Sequence, residues 1–294
     1  MPRTNMIWLV GARGMLGQLV AEELAANGIP FEATGREIDV TDYSAIRSQT
    51  QRFRPTWLIN CSAYTAVDRA ETDVEAAWRL NRDGAANLAR RCAGIGARML
   101  HISTDYVFDG EQHRGYAEDD PSNPQSVYGA SKAAGEQAVS DALEEHVTVR
   151  TSWMYAEHGH NFLLTVLRLL DERETLTVVC DQHGCPTYAR DLARALVSIV
   201  THPRPVFGTY HFANAGVTSW YDFARSIQIA ALRKGLIRQQ KQIVPISTDQ
   251  YPTAAHRPRY TALLCNRINQ AYGIEPRPWQ PALDDCLERI ARSR

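Results

Sequence analysis

Short apolar runs alternate with longer amphipathic stretches through the first half of the chain. Residues 6–10 form a continuous apolar run ending at glycine, and 15–27 carry Leu16, Leu19, Val20 and Leu24 at helical spacing. The pattern then predicts a strand at 30–34, a helix at 43–53, a strand at 57–60 and one long helix at 73–95. A strand at 99–103, a helix at 128–143 and a strand at 147–151 complete the series. The apolar runs are too short to be buried helices. Strict strand–helix alternation requires right-handed crossovers and a parallel sheet covered on both faces, so the fold class is α/β, doubly wound and of Rossmann type.

Beyond residue 151 the alternation becomes irregular. Helical spacing recurs at 162–171, 191–200, 220–233 and 281–291, while Pro203, Pro205, Pro245, Pro252, Pro258, Pro276, Pro278 and Pro281 break the remainder into short pieces. Two regions are expected: 1–151 as the regular domain, and 152–294 as a smaller region that sends some segments back to the sheet.

Composition narrows the function classes. The chain has 294 residues, 44% hydrophobic and 22% charged, enough for a substantial core. A net charge of −1 supplies no basic excess for a phosphate backbone, so no nucleic-acid partner is expected. No apolar run approaches the ~18 residues of a membrane span. Residues 1–5 lead straight into the first strand without a signal-peptide core, and the six scattered cysteines read as reduced thiols of a cytoplasmic protein. Cys180, His183 and Cys185 lie close in sequence but lack a fourth ligand and a usual zinc spacing, so no metal is assigned.

The first chemical signal is Gly11-Ala12-Arg13-Gly14-Met15-Leu16-Gly17, set between a strand and a helix. Glycines let the backbone approach a pyrophosphate, and a helix N-terminus offers free N–H groups and a favourable dipole. The spacing is G-x-x-G-x-x-G, and its context supports a dinucleotide site. An NAD-selective site usually ends its second strand in an acid. Here Thr34-Gly35-Arg36 follows, so Arg36, with Arg13 in the loop, points to the 2′-phosphate of NADPH, with NADH as the alternative.

The second signal is Tyr128 and Lys132, one helical turn apart on one face. An adjacent ammonium is expected to lower the phenol pKa from ~10 and let tyrosine donate a proton to a forming alkoxide. Thr104, in the strand end Ser103-Thr104-Asp105, adds a hydroxyl where open α/β sheets meet ligands. Trp153, just after the last regular strand, offers an apolar face and an N–H to a deoxysugar. Asn161 and Arg257 are placed to meet a diphosphate and base.

Together these motifs resemble the extended short-chain dehydrogenase/reductase family, in the branch acting on dTDP-linked keto-deoxysugars. GARGMLG, NCSAYTAVDRAE, ISTDYVFDG, VYGASKAAGEQ, RTSWMYA, NFLLTVLRLL, DQHGCPT and YPTAAHRP carry the resemblance from residue 11 to 258. It implies Tyr128 as general acid, Lys132 as its electrostatic partner and a ligand of the nicotinamide ribose, and Thr104 as the second hydroxyl at the keto oxygen. It further implies that Asp39 and Val40 contact the adenine side, that Ala63, Tyr64 and Thr65 line the cofactor, and that Asp105 and Trp153 border the sugar. The family often has histidine where Tyr64 stands. The implied reaction is NADPH-dependent reduction of the 4-keto group of dTDP-4-dehydro-L-rhamnose. Another nucleotide-linked 4-keto-deoxysugar, or a non-catalytic NADP-binding regulatory subunit, is the alternative. Some family members are metal-bridged dimers, which leaves a homodimer and a Mg2+ requirement open.

Overall fold

The computed structural model describes residues 6–293, so the N-terminal residues 1–5 discussed above lie outside the described residues. Its centre is a six-stranded sheet of β1 (Ile7–Val10), β2 (Phe31–Thr34), β3 (Trp57–Asn60), β4 (Arg98–Thr104), β5 (His146–Thr151) and a sixth strand, Gly208–His211. The order is β2-β1-β3-β4-β5-sixth, and every neighbouring pair is parallel. The chain reverses its direction of travel across the sheet between β1 and β3. A crevice at the C-terminal ends of the strands is expected at such a switch point.

Apolar strands arise because both faces are covered. Ile7, Leu9, Ile59, Leu100, Val147 and Val149 pack on one face with α1 (Met15–Ala26) and the helix Ala189–Thr201. Trp8, Val10, Leu58 and Met99 face the other way, toward Leu88, Ala89 and Cys92 of helix 74–95 and Val139 of the helix Val127–Ala142. The helix expected at 73–95 contains a π-helical turn, Arg79–Gly84, between α-helical Val74–Trp78 and Ala85–Ile95. Close packing accompanies the turn: a Cβ on Gly84 would lie 2.7 Å from Val40 Cγ2, and the Asn81 carbonyl abuts Gly135.

The second half builds a separate apolar cluster from Tyr155, Leu163, Val166, Phe223, Ile227, Trp279, Leu283 and Leu287. Helices Phe162–Glu172, Trp220–Arg233 and Trp279–Arg292 supply most of it. Thr175–Val179 and Gln242–Ile246 form a parallel pair beside these helices, with Pro245 inside a two-stranded ladder that tolerates a missing donor. Two segments of this half return to the main sheet: the sixth strand, paired with β5, and the helix Ala189–Thr201 against α1.

Candidate active site

The glycine turn lies at the switch point. Gly11 has φ +77°, and a Cβ there would stand 2.6 Å from the Ser62 nitrogen and 2.7 Å from the Cys61 carbonyl carbon, so only glycine fits. A Cβ on Gly17 would strike the Gly11 carbonyl oxygen. The loop is pinned by Ala12 N–H donating to the Thr34 carbonyl at 2.9 Å and Gly14 N–H to the Gly11 carbonyl at 3.0 Å. No side chain caps α1 at Gly14, which leaves the N–H groups of its first turn for an external acceptor. Leu16 anchors the turn in the core, while Met15 lies against Gly159. This cradle fits a dinucleotide pyrophosphate.

Beside Arg13 and Arg36 the structure adds an acid that the sequence alone does not single out. Glu37 accepts the Gly35 N–H at 2.6 Å and pairs with Arg13 at 3.1 Å, both side chains being exposed. The Gly35 N–H, with Arg13 adding to it, holds the Glu37 carboxyl below its ordinary range. Arg13 therefore lies across Gly35, already partnered, and Arg36 beside it is exposed. Asp39 accepts from the Thr41 N–H at 2.9 Å and hydroxyl at 2.8 Å, while Val40 is buried against Gly84.

After β3, Ala63 and Tyr64 are half-buried and Thr65 exposed. Asn81, on the π turn, fixes this stretch. Its Oδ1 accepts the Tyr64 N–H at 2.8 Å, and its Nδ2 donates to the Tyr64 carbonyl at 3.2 Å and the Ser131 hydroxyl at 2.9 Å. The Tyr64 hydroxyl donates to Asp73 at 3.0 Å. Asn81 thus ties the loop after β3 to the helix bearing Tyr128 and Lys132, and no sequence spacing announces it.

That helix begins at Ser126, whose hydroxyl accepts the Gly129 N–H at 3.1 Å. Lys132 is buried, donates to the Ile102 carbonyl at 2.6 Å, and is pulled down to about 8 by desolvation. The Tyr128 phenol is raised, not lowered: desolvation pushes it up, the Thr104 hydroxyl draws it down, and Asp105 and Tyr106 push it further up. The expectation of an ammonium-depressed phenol is therefore corrected for this state, in which Lys132 is turned to a backbone carbonyl and Tyr128 holds its proton at neutral pH.

Thr104 is buried beside them and donates to Asp105 Oδ1 at 3.1 Å. Thr261 donates to the other Asp105 oxygen at 2.6 Å, and burial lifts this carboxyl to about 6. The Tyr106 ring meets Tyr128 edge-on at 5.7 Å. Arg257 donates to the Tyr106 hydroxyl at 3.1 Å and pairs with Asp68 at 2.6 Å, which brings it to the same cleft. Asn161 serves differently from the expectation. It caps the helix Phe162–Glu172 through the Leu164 N–H, and its amide donates to the Ala156 and His158 carbonyls. Its nearest link to the site is Met15 Sδ at 3.5 Å, on the glycine loop.

Trp153 has φ +45°, a left-handed conformation that costs a side-chain-bearing residue ~1–2 kcal/mol. Its indole stacks on Trp220 with centroids 3.5 Å apart. Among the described residues no three His, Cys, Asp or Glu side chains converge as metal ligands, Cys180, His183 and Cys185 included.

A glycine cradle at the switch point of a doubly wound sheet, with Thr104, Tyr128 and Lys132 gathered at the end of β4, defines an oxidoreductase of the extended short-chain dehydrogenase/reductase class. Within that class the chain belongs to the RmlD substrate binding domain family, whose model matches residues 5–292. It is 39% identical over 282 residues to the dTDP-4-dehydrorhamnose reductase of Aggregatibacter actinomycetemcomitans, covering 94% of this chain and 96% of that protein. It is 41% identical over 285 residues to the dTDP-4-keto-6-deoxy-D-glucose reductase of Streptomyces niveus, covering 95% and 96%. The crystal structure of dTDP-4-dehydrorhamnose reductase from Bacillus anthracis str. Ames in complex with NADP superposes with a TM-score of 0.91 at 36% identity, covering 97% of this chain and 99% of that one.

Proposed function

We propose that this chain catalyses the NADPH-dependent reduction of the 4-keto group of dTDP-4-dehydro-L-rhamnose to dTDP-L-rhamnose, the last step of dTDP-rhamnose biosynthesis. The observation that carries the reading is the gathering of Thr104, Tyr128 and Lys132 at one strand end, across from an uncapped glycine turn. Gly11, Gly14, Met15 and Gly17 would hold the pyrophosphate, Arg13 and Arg36 the 2′-phosphate, Asp39 and Val40 the adenine side, and Ala63, Tyr64 and Thr65 the stretch between. Bound NADPH supplies the hydride to the keto carbon.

Tyr128 transfers its phenolic proton to the former keto oxygen, and Thr104 sits beside the oxygen that gives it. The phenolate left behind is offset by the Lys132 ammonium, which would also hold the nicotinamide ribose when the cofactor is bound. Asp105 and Trp153 border the sugar, and Arg257 meets the diphosphate from the cap side. A cytoplasmic setting is supported by six unpaired cysteines.

The test supplies purified chain and NADPH with dTDP-4-dehydro-L-rhamnose or, separately, dTDP-4-dehydro-6-deoxy-D-glucose, with product identity read by NMR. NADPH oxidation with the first sugar giving dTDP-L-rhamnose supports the reading. Turnover of the second sugar alone assigns the specificity carried in the name of the Streptomyces niveus relative. NADPH binding without turnover of either points to a regulatory subunit.

A further inference from the structure

Only two non-glycine residues among those described have a positive φ, Arg54 and Trp153. Arg54 ends a helix in the left-handed cap that helix termini commonly use. Trp153 has no such excuse, since it lies between β5 and the short strand Met154–Tyr155. A strained aromatic residue persists only where its surroundings over-determine it.

Those surroundings come from two segments distant in sequence. On one side the Trp220 ring lies parallel to Trp153, 7° between planes, and is itself braced by Phe162 at 4.5 Å. Gly184 also lies against the indole: a Cβ there would stand 2.7 Å from Trp153 Cε2 and 2.8 Å from Nε1. Gly184 and Trp220 are also fixed to each other, because His183–Gly184 pairs antiparallel with Thr218–Ser219, the residues just before Trp220. The main chain is held as well, by the Thr187 N–H donating to the Trp153 carbonyl at 3.2 Å and the Ser152 hydroxyl donating to the Cys185 carbonyl at 2.6 Å.

We propose that Trp220 and Gly184 act as one positioning clamp that presets the Trp153 indole as a wall of the sugar site, so that affinity for the deoxysugar depends on two residues outside the reacting groups. The proposal rests on the placement of Trp153 beside the sugar. A preset wall costs the substrate no ordering of that side chain on binding, which favours affinity for the sugar over turnover. Neither clamp residue takes part in proton transfer or in the glycine turn, so both kcat and NADPH affinity are insulated from them.

The experiment compares Trp153→Ala, Trp220→Ala, Trp220→Phe and Gly184→Ala in the full chain. The readouts are KM for the keto-sugar, kcat, KM for NADPH, Tm, and the near-UV circular dichroism of the indole pair. Trp220→Ala and Gly184→Ala should each raise KM for the sugar roughly 3- to 10-fold, the scale of one aromatic pair, with NADPH KM within about 2-fold. Trp220→Phe, which keeps a stacking ring, should restore most of the affinity, and the indole-pair signal should vanish in Trp220→Ala. Variants that lower Tm while sugar KM stays unchanged overturn the proposal. If Gly184→Ala fails to fold, the Trp220 pair decides alone. The control separates the two layers: an unchanged KM in Trp153→Ala defeats the sugar-site placement itself, whereas a raised KM there alone defeats only the clamp.

Discussion

The two sides of the cleft are built by different means. On the cofactor side the shape comes from main chain: Gly11 at φ +77°, the uncapped start of α1, and backbone bonds from Gly14 to Gly11 and from Ala12 to Thr34. On the side proposed for the sugar the shape comes from side chains that meet from afar, with Trp153 on Trp220 and Thr261 on Asp105 across 156 positions. Main-chain sites tolerate little substitution at their glycines because a Cβ has nowhere to go. Side-chain sites can be retuned one contact at a time, which suits a family whose relatives are named for different dTDP-linked keto-sugars.

The contrast can be broken first at the group that belongs to neither side. Tyr128→Phe should lower kcat by ~10²–10⁴-fold while NADPH affinity, measured by titration of the fluorescence of bound NADPH, stays close to that of the parent. A variant retaining most of its rate would remove Tyr128 as the proton donor. Next is the glycine turn. Gly11→Ala should weaken NADPH binding by about 5- to 150-fold, the equivalent of ~1–3 kcal/mol of backbone strain, with dTDP-L-rhamnose binding unchanged by calorimetry. Equal loss of both ligands would mean that the two sides are not independent.

Third comes pH. Lys132 is held near 8 by burial, so its ammonium is present below that pH and lost as pH rises through it. The rate should therefore fall on the alkaline side with a limb near pH 8, approaching tenfold per unit. A pH–rate profile of Lys132→Met should lack that limb. The smallest effect is expected at Glu37, whose ion pair with Arg13 would compete with a 2′-phosphate bound as proposed. Glu37→Gln should shift the ratio of NADPH to NADH affinity toward NADPH by about 3-fold, the scale of an exposed charge pair, and an unchanged ratio would free Arg13 of that competition.

The same contrast governs how much was legible beforehand. Tyr43–Phe53, Trp57–Asn60 and Trp220–Arg233 have the bounds that their apolar spacing predicts, because one buried face decides each of the two helices and burial on both faces decides the strand. The glycine turn and the Tyr128–Lys132 pair are visible in the sequence as motifs because each is a short, local spacing. The sixth strand was hidden by its brevity after Pro203 and Pro205, and Gln242–Ile246 by an internal proline and a partner 67 residues away. The π turn changes the helical pattern of 73–95 too little to register. Asn81, Thr261, Gly184 and Trp220 act through contacts with residues remote in sequence, and Asn81 and Thr261 carry ordinary polar side chains that no motif singles out. Glu37 was present in the sequence as the residue after Arg36, yet only the fold of the β2 turn brings it back onto Gly35.

The return of Gly208–His211 to the sheet bears on modularity. A fragment ending at residue 151 would retain the glycine turn, Tyr128 and Lys132, yet would present β5 as a bare edge of six buried residues. It would also strip the helix Ala189–Thr201 from α1, uncovering Leu19, Val20 and Leu24. Unpaired apolar edges of this kind template association between chains. The nucleotide-binding half is therefore not a transplantable part, and swapping caps between relatives should succeed only as loop grafts that leave both returning segments in place.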